Sequence, residues 1–363
     1  MTKNISRRRA LGFAATSAGI AGATTVAMSV NPALASASTA SPQPAVLPNA
    51  LTIVAHRRGE DQTGDIQDAL DEAEANGGGV VYLEGEIYRI SRTLLIGQNV
   101  TLTGEGAATE LRATGSMNWM VEFPPSSFWG RLTNIRLLGG NDAGGVNITT
   151  AGTGMFSGND AYVLIENVAV HDIRNNGVRV GASVDGFGTR EIRLHNVVVL
   201  RAQSHGILFY GVDSIISNCT VAGSGLDGFH IEGGNNRITG CKAFFNNGSG
   251  ITVNGSRGQL SACQVQDNNG DGFKIDNAND VALSACGADS NRFVGVRIRN
   301  CLGVTFSSAS SISRAGRFEQ VFGVRIQNSA NCRITGVSRN NATNLNVVNS
   351  PAVDTSGLLH EEV

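Results

Sequence analysis

Cys219, Cys241 and Cys263 stand 22 residues apart, and the same interval separates Gly206, Gly228, Gly250 and Gly272, and also Asn247, Asn269 and Asn291. One period held by three residue types marks a solenoid, in which each repeat buries its apolar face on the next. The runs HGILF, DGFHI, SGITV and DGFKI alternate apolar and polar residues as half-buried strands do. NGVRV at Asn176 begins the series, and VGVRI and FGVRI continue it after small insertions. No helical pattern interrupts the repeats, which excludes ankyrin-like and other helical arrays. The class that remains is all-β: a parallel β-helix with about three short strands per coil.

The alternation predicts two inward columns, Phe229–Ile251–Phe273 and Ile231–Val253–Ile275, and a cysteine column on a neighbouring strand. Cysteine packs well as a small buried hydrophobe, so the column reads as a reduced structural stack rather than a disulfide or metal site. Asn247, Asn269 and Asn291 fall at a turn, where amide side chains can bond from coil to coil. An open solenoid end needs a cap. At the N-terminal end DIQDALDEAEANGGG predicts a capping α-helix over 65–76, with Asp65 as N-cap and Ile66, Ala69, Leu70 and Ala73 as its buried stripe.

Residues 1–35 read as a secretory signal: Arg7, Arg8 and Arg9 precede an apolar stretch that ends at Ala33-Leu34-Ala35. The paired arginines resemble a twin-arginine signal, which implies export in the folded state and a secreted protein. Residues 36–50 then form a flexible leader, 51–350 the β-helix domain and 351–363 a C-terminal tail. Removing Lys3, Arg7, Arg8 and Arg9 from 28 basic residues leaves 28 − 4 = 24 against 30 acidic, a net charge of −6. That balance excludes a nucleic-acid partner, whose binding rests on phosphate neutralisation. No segment after the leader is apolar for long enough to span a membrane as a helix.

The run DIQDALDEAEANGGGVVYLEGEIYRIS, then NVTLTGEGAATEL and DGF-type coils, resembles the pectate-lyase-like superfamily of single-stranded right-handed parallel β-helix proteins. The resemblance covers nearly all of the mature chain and implies action on glycans: the superfamily includes lyases, hydrolases, epimerases, transferases and phage fibre domains. The chain departs from several of its patterns. SHG at Ser204 and RIRN at Arg297 stand without the DD pair and GHG of polygalacturonase-like hydrolases. DGFHIE at Asp227 only loosely echoes the DPHE-like run of uronate epimerases. The oxygen-rich runs SGNDAYV and GDGFKIDNAND admit Ca2+ without EF-hand spacing.

Stacking the strands yields candidate outward columns. Gly206, Gly228, Gly250, Gly272, Gly295 and Gly323 would make a flat floor for a sugar ring. Just before them stand His205, Asp227, Ser249 and Asp271, whose polarity argues for solvent. After them comes Arg179, Leu208, His230, Thr252, Lys274, Arg297, Arg325, and two residues further Tyr210, Glu232, Asn254, Asp276, Arg299, Gln327. Lys274, Arg297, Arg299 and Arg325 make a basic strip on a net-negative body, suited to an anionic polysaccharide held through Arg179, Arg297, Arg299, Arg325 and Tyr210.

Two chemistries fit. Hydrolysis would use the carboxylate pair Asp227–Glu232 or Asp227–Asp271. β-Elimination would use His230 or Lys274 as base, Arg297 to neutralise the uronate, and His205 and Asp227 beside them; the basic strip favours this reading. The other candidates are a glycan-binding module and a trimeric fibre. Repeated outward aromatics are missing for the first, with Tyr210 alone. For the second the outward apolar stripe is limited to Phe244 and Phe245, so a monomer and a homotrimer both stay open. The long segment 139–160 and the insertions 183–189 and 313–320 are placed to wall a site or to meet another subunit.

Overall fold

The computed structural model describes residues 50–149, 161–181 and 189–360; the leader, most of 183–189 and residues 150–160 lie outside them. Within the described residues the chain is one helix, Thr63–Ala75, and thirty parallel strands wound into a β-helix. One sheet has eleven strands, one per coil; the other has nineteen and takes the remaining strands of each coil. Successive strands of the smaller sheet, Ile207–Phe209, Phe229–Ile231, Ile251–Val253 and Phe273–Asp276, pair in register.

Both inward columns form as the alternation predicts. Phe229 pairs with Ile251 and Ile251 with Phe273; Ile231, Val253 and Ile275 follow suit, and all six are within 1% of full burial. All six cysteines are free and buried. The Cys241 thiol donates to the Ile216 carbonyl at 3.7 Å. The Cys241 thiol and burial push Cys263 up to about 12, so the stack is inert packing rather than reactive sulfur.

The helix begins at Thr63, two residues before the predicted start. Asp61 accepts from the Thr63 backbone N–H at 3.0 Å and from its hydroxyl, so Asp65 stands in the first turn instead of at the N-cap. Ile66, Ala69, Leu70 and Ala73 are buried as the stripe requires. A strand not foreseen, Ala50–Val54, precedes the helix and pairs with Gly79–Leu83. At the other end the expected tail contributes a strand, Asp354–His360, paired with Arg333–Arg339, because Leu358 supplies one inward side chain. The long segment from 139 is broken by another strand, Val146–Ile148, in the smaller sheet.

Two predicted columns are corrected. The glycines point inward: a Cβ at Gly206 would lie 2.1 Å from Val221 Cγ1, and one at Gly228 2.9 Å from Ala243 Cβ. They occupy a corner where strand meets neighbouring strand, and only a residue without a side chain fits there. They are no floor for a sugar.

The asparagines also sort differently. Asn247 and Asn269 bond at 3.1 Å on the exposed side of the turn. Asn291 instead joins Asn246 and Asn268 in a buried ladder. Asn246 Nδ2 donates to Asn268 Oδ1 at 2.9 Å, and Asn268 Nδ2 to Asn291 Oδ1 at 2.8 Å. The ladder continues through Gln320 to Asn341, at 3.2 and 2.7 Å. The coil after Asn268 is one residue longer, so the strict 22-residue count steps off this column just where the structure keeps it.

Replacing Asn268 with alanine strips partners from the Asn246 N–H, the Ala243 carbonyl and Asn291. Buried groups left unpaired cost a kilocalorie or more each. We expect N268A to lose on the order of 3 kcal/mol in chemical denaturation, and N247A, on the exposed rung, about 0.5 kcal/mol or less. Equal losses would show that the inner ladder does not hold the coils.

Candidate active site

The smaller sheet sets the register of the polar face. Arg179 pairs with Leu208, Leu208 with His230, His230 with Thr252, Thr252 with Lys274, Lys274 with Arg297 and Arg297 with Arg325. The residues just before the glycines turn outward, so His205 and Asp227 reach the same face.

Four of the predicted residues meet there. His230 lies between two carboxylates, with Nδ1 2.7 Å from Asp227 Oδ2 and Nε2 2.6 Å from Glu232 Oε1. An imidazole donates from both nitrogens only when protonated, so this geometry selects the imidazolium. Asp227 is held by the Ser249 backbone N–H at 2.7 Å, and Glu232 by Asn254 Nδ2 at 2.8 Å. His205 stacks tilted on His230, with ring centroids 4.5 Å apart. Its backbone N–H donates to Asn176 Oδ1 at 3.1 Å. Its Nδ1 is buried without a hydrogen-bond partner, 4.0 Å from Asp227 Oδ2.

The environment drives the two imidazoles apart. Burial alone would lower His230, but its hydrogen bonds to Asp227 and Glu232, with their charges, outweigh burial and raise it above the ordinary imidazole value. Burial lowers His205, and the charge on His230 lowers it further. Burial acts to raise Asp227, yet hydrogen bonds from His230 and the Ser249 N–H hold it below the usual carboxylate value. The same environment therefore disfavours charge on His205 and favours it on the His230 ring it touches.

The basic strip is largely neutralised, which corrects its expected role. Asp271 binds Arg297 at 2.7 Å and accepts the Val294 N–H at 3.1 Å. Asp276 grips Arg299 through both carboxylate oxygens. Arg325 lies over the Phe322 ring at 4.6 Å. Lys274 alone of the strip makes no ion pair within 4.0 Å and no cation–π contact among the described residues. Asp271 is spoken for as a partner of Arg297, and Asp227 and Glu232 as partners of His230; neither hydrolytic pair stands free. Tyr210 sits one coil before Glu232, half-buried. Arg314, in the insertion from 313, is tied to Asp289 and Asp267 at 2.7 and 2.9 Å. Asp276 and Arg299 are neighbours in one column of the repeat, so that pair was legible in the stacking. The sequence carried no signal for Arg297–Asp271 or for Arg314 with Asp289 and Asp267, whose partners lie at different offsets within the repeat.

His205, Asp227 and His230 each offer a ligand atom within 4.8 Å of the others, a cluster consistent with the Ca2+ the sequence admits. Asp227, with Glu232 beside it, supplies the oxygen that a hard cation takes, and the unpartnered His205 Nδ1 is a further donor. Two imidazoles among three ligands also suit a d-block ion.

Comparison with known proteins bears on the fold. The family described as a right-handed β-helix region matches residues 205–355. No curated protein matches the chain. The A-module of mannuronan C-5 epimerase AlgE6 of Azotobacter vinelandii superposes with a TM-score of 0.67 at 20% identity, over 84% of this chain and 96% of that one. The enzymatically active domain of tailspike protein 2 of bacteriophage CBA120 gives 0.65 at 14% identity, over 82% and 51%. A periplasmic alginate epimerase gives 0.54 at 14% identity, over 77% of each. The chain has the right-handed parallel β-helix fold that these proteins share. No described helix is long and apolar enough to cross a membrane.

Removing Arg297 would leave Asp271, with a 7% exposed side chain, as an unpaired buried charge. We expect R297A to lose about 3 kcal/mol at neutral pH. Burial already raises the Asp271 pKa, and without Arg297 it rises further. The loss therefore shrinks as pH falls and Asp271 protonates. The double variant R297A/D271N should recover much of the loss, and denaturation curves at two pH values check both points. A loss that does not change with pH would refute the pairing.

Proposed function

We propose that this chain is an enzyme acting on an acidic, uronate-containing polysaccharide, and that it breaks the chain by β-elimination. The observation that carries the reading is the contact between His205 and His230, one imidazole pushed down and the other up. Around neutral pH that pair is a base beside an acid, the requirement for removing one proton while donating another. The epimerases and tailspike among proteins of this fold add support for a glycan substrate. The leader extends the proposal to export by the twin-arginine route.

The roles differ from those the sequence suggested. His230, held protonated by Asp227 and Glu232, is the acid; His205 is the base. His205 takes the proton from C5, the C5–H electrons form the C4–C5 double bond, and the C4–O4 bond breaks. His230 gives up its hydrogen bond to Asp227 or Glu232 and passes that proton to the departing O4, which leaves the ring neutral. Asp227 and Glu232 orient His230 and keep it charged, and Lys274, without an ion pair among the described residues, offers a cation two coils away, roughly 9.6 Å along the sheet. Both rings stand on one face of the protein, so a sugar lying on that face would meet them from the same side, which suits a syn elimination. Epimerisation needs the proton returned to the opposite face of the ring. A cation held by His205, Asp227 and His230 would supply positive charge toward a uronate carboxylate. It would also occupy the imidazole lone pairs, so ion and proton transfer compete for the same nitrogens.

A panel of acidic polysaccharides, followed by unsaturated-uronate absorbance and by reducing ends, tests the reading. Elimination yields both signals; reducing ends alone mean hydrolysis, and deuterium incorporation from solvent at C5 without chain cleavage means epimerisation. We expect H205A to lower kcat about a hundredfold or more. The rate should be bell-shaped in pH. Its acid limb marks deprotonation of His205, below the ordinary imidazole value, and its alkaline limb marks loss of the His230 proton, above that value. H230Q removes the charge that helps depress His205, so the acid limb should move to higher pH. A chelator should not lower the rate. Activity unchanged in H205A and H230Q would place the chemistry elsewhere.

A further inference from the structure

Away from the histidines, one column of turn residues departs from what its backbone favours. Beyond the strands of the smaller sheet, where the chain turns toward the next strand of the larger one, a stacked column of described residues has positive φ. The column is laced by ladder bonds such as Asn99 N–H to the Phe128 carbonyl and Trp129 N–H to the Ala161 carbonyl, both 2.9 Å. Asn99, Asp213, Asn235, Asp280, Gly303 and Asn331 carry residue types that enter this region most readily, while Glu191, Arg257 and Ala352 stand in it against that preference. Trp129, at φ 62°, and Tyr162, at φ 46°, do not belong to those types. The whole chain has two tryptophans and four tyrosines, and one of each is spent on adjacent coils of this column.

The two rings stack, with centroids 4.4 Å apart and planes 19° from parallel, and Trp129 remains 46% exposed. Tyr162, one coil on, covers one side of the indole. On the side of the preceding coil lies a pocket of about 410 Å³ whose lining includes Gly77, Asn99, Thr101, Trp129 and Arg131. It joins a flat aromatic wall to an amide, a hydroxyl and a guanidinium. A pyranose ring has the matching surface, an apolar C–H face bordered by hydroxyls, and Arg131 suits a carboxylate on that ring.

We infer that Trp129, backed by Tyr162, forms a second, non-catalytic subsite that holds a uronate ring of the polymer, with Arg131 as its charge partner. The inference rests on the reading of an acidic glycan as substrate. The strand before Trp129 is four strands from that of His230 in the smaller sheet. At the spacing of a parallel sheet this is roughly 19 Å along the axis. The path around the coil adds to it, because Thr101 and Arg131 belong to the larger sheet, so only an extended polymer reaches both.

In a Trp119→Phe background Trp129 is the only indole, and its emission can be followed during titration with mannuronan and polygalacturonate oligosaccharides. In parallel, affinity electrophoresis compares the wild type with Trp129→Asn, a substitution suited to positive φ that should keep the melting temperature, and with Arg131→Gln. The expected result is saturable quenching and about a tenfold loss of polymer affinity in each variant. Quenching without turnover leaves the subsite standing and removes the catalytic reading. Turnover of a polymer with no quenching and full affinity in Trp129→Asn overturns the subsite and leaves the catalytic reading intact. If no acidic glycan binds or reacts, both fall.

Discussion

In a parallel ladder each residue lies over its counterpart one coil away, about 4.8 Å distant, and that single constraint organises this molecule. Inward, it piles phenylalanine on isoleucine and cysteine on cysteine, so every coil buries what its neighbour leaves open. At the turns it threads Asn246, Asn268, Asn291, Gln320 and Asn341 into one buried run of amides, where each side chain satisfies the backbone or amide of the coil before it. Outward, the same stacking brings His205 from one coil against His230 from the next.

The site follows from where charge can be tolerated on that face. Asp227 accepts from the Ser249 N–H of the following coil, and Glu232 from Asn254 of that coil, so two carboxylates are fixed before any substrate arrives. Placing His230 between them favours its charged form; burying His205 beside His230, without a partner on Nδ1, favours its neutral form. The cations further along the sheet are matched to their own acids, Arg297 to Asp271 and Arg299 to Asp276. They brace the scaffold, which leaves the two histidines as the groups on which the proposed chemistry rests.

Much of this was legible in the sequence because a solenoid writes its neighbours at a fixed interval. The interval gave the fold, the inward columns, the cysteine stack and the stacking of His230 over Thr252 and Lys274. It failed where geometry within a coil matters. A glycine and the phenylalanine after it both face inward at a bend, against strict alternation, so Gly228 looked like surface. Asn291 kept a count of 22 with Asn269 yet belongs to the ladder of Asn268, because one coil gained a residue. Ion pairs such as Arg297–Asp271 cross coils and columns at once, which no period reveals. Trp129 and Tyr162 lie in the irregular early coils, before the repeat becomes readable.

His205 and His230 touch in one environment that pushes their proton affinities in opposite directions. Titration of the ring carbons and nitrogens of His205 and His230 by NMR, assigned through single His→Gln variants, measures that divergence directly. The account predicts that His230 titrates above the ordinary imidazole value of about 6.5 and His205 below it. It also predicts that His205 shifts upward in H230Q. Both rings titrating near the ordinary value, or His205 holding its proton to higher pH than His230, would contradict the account.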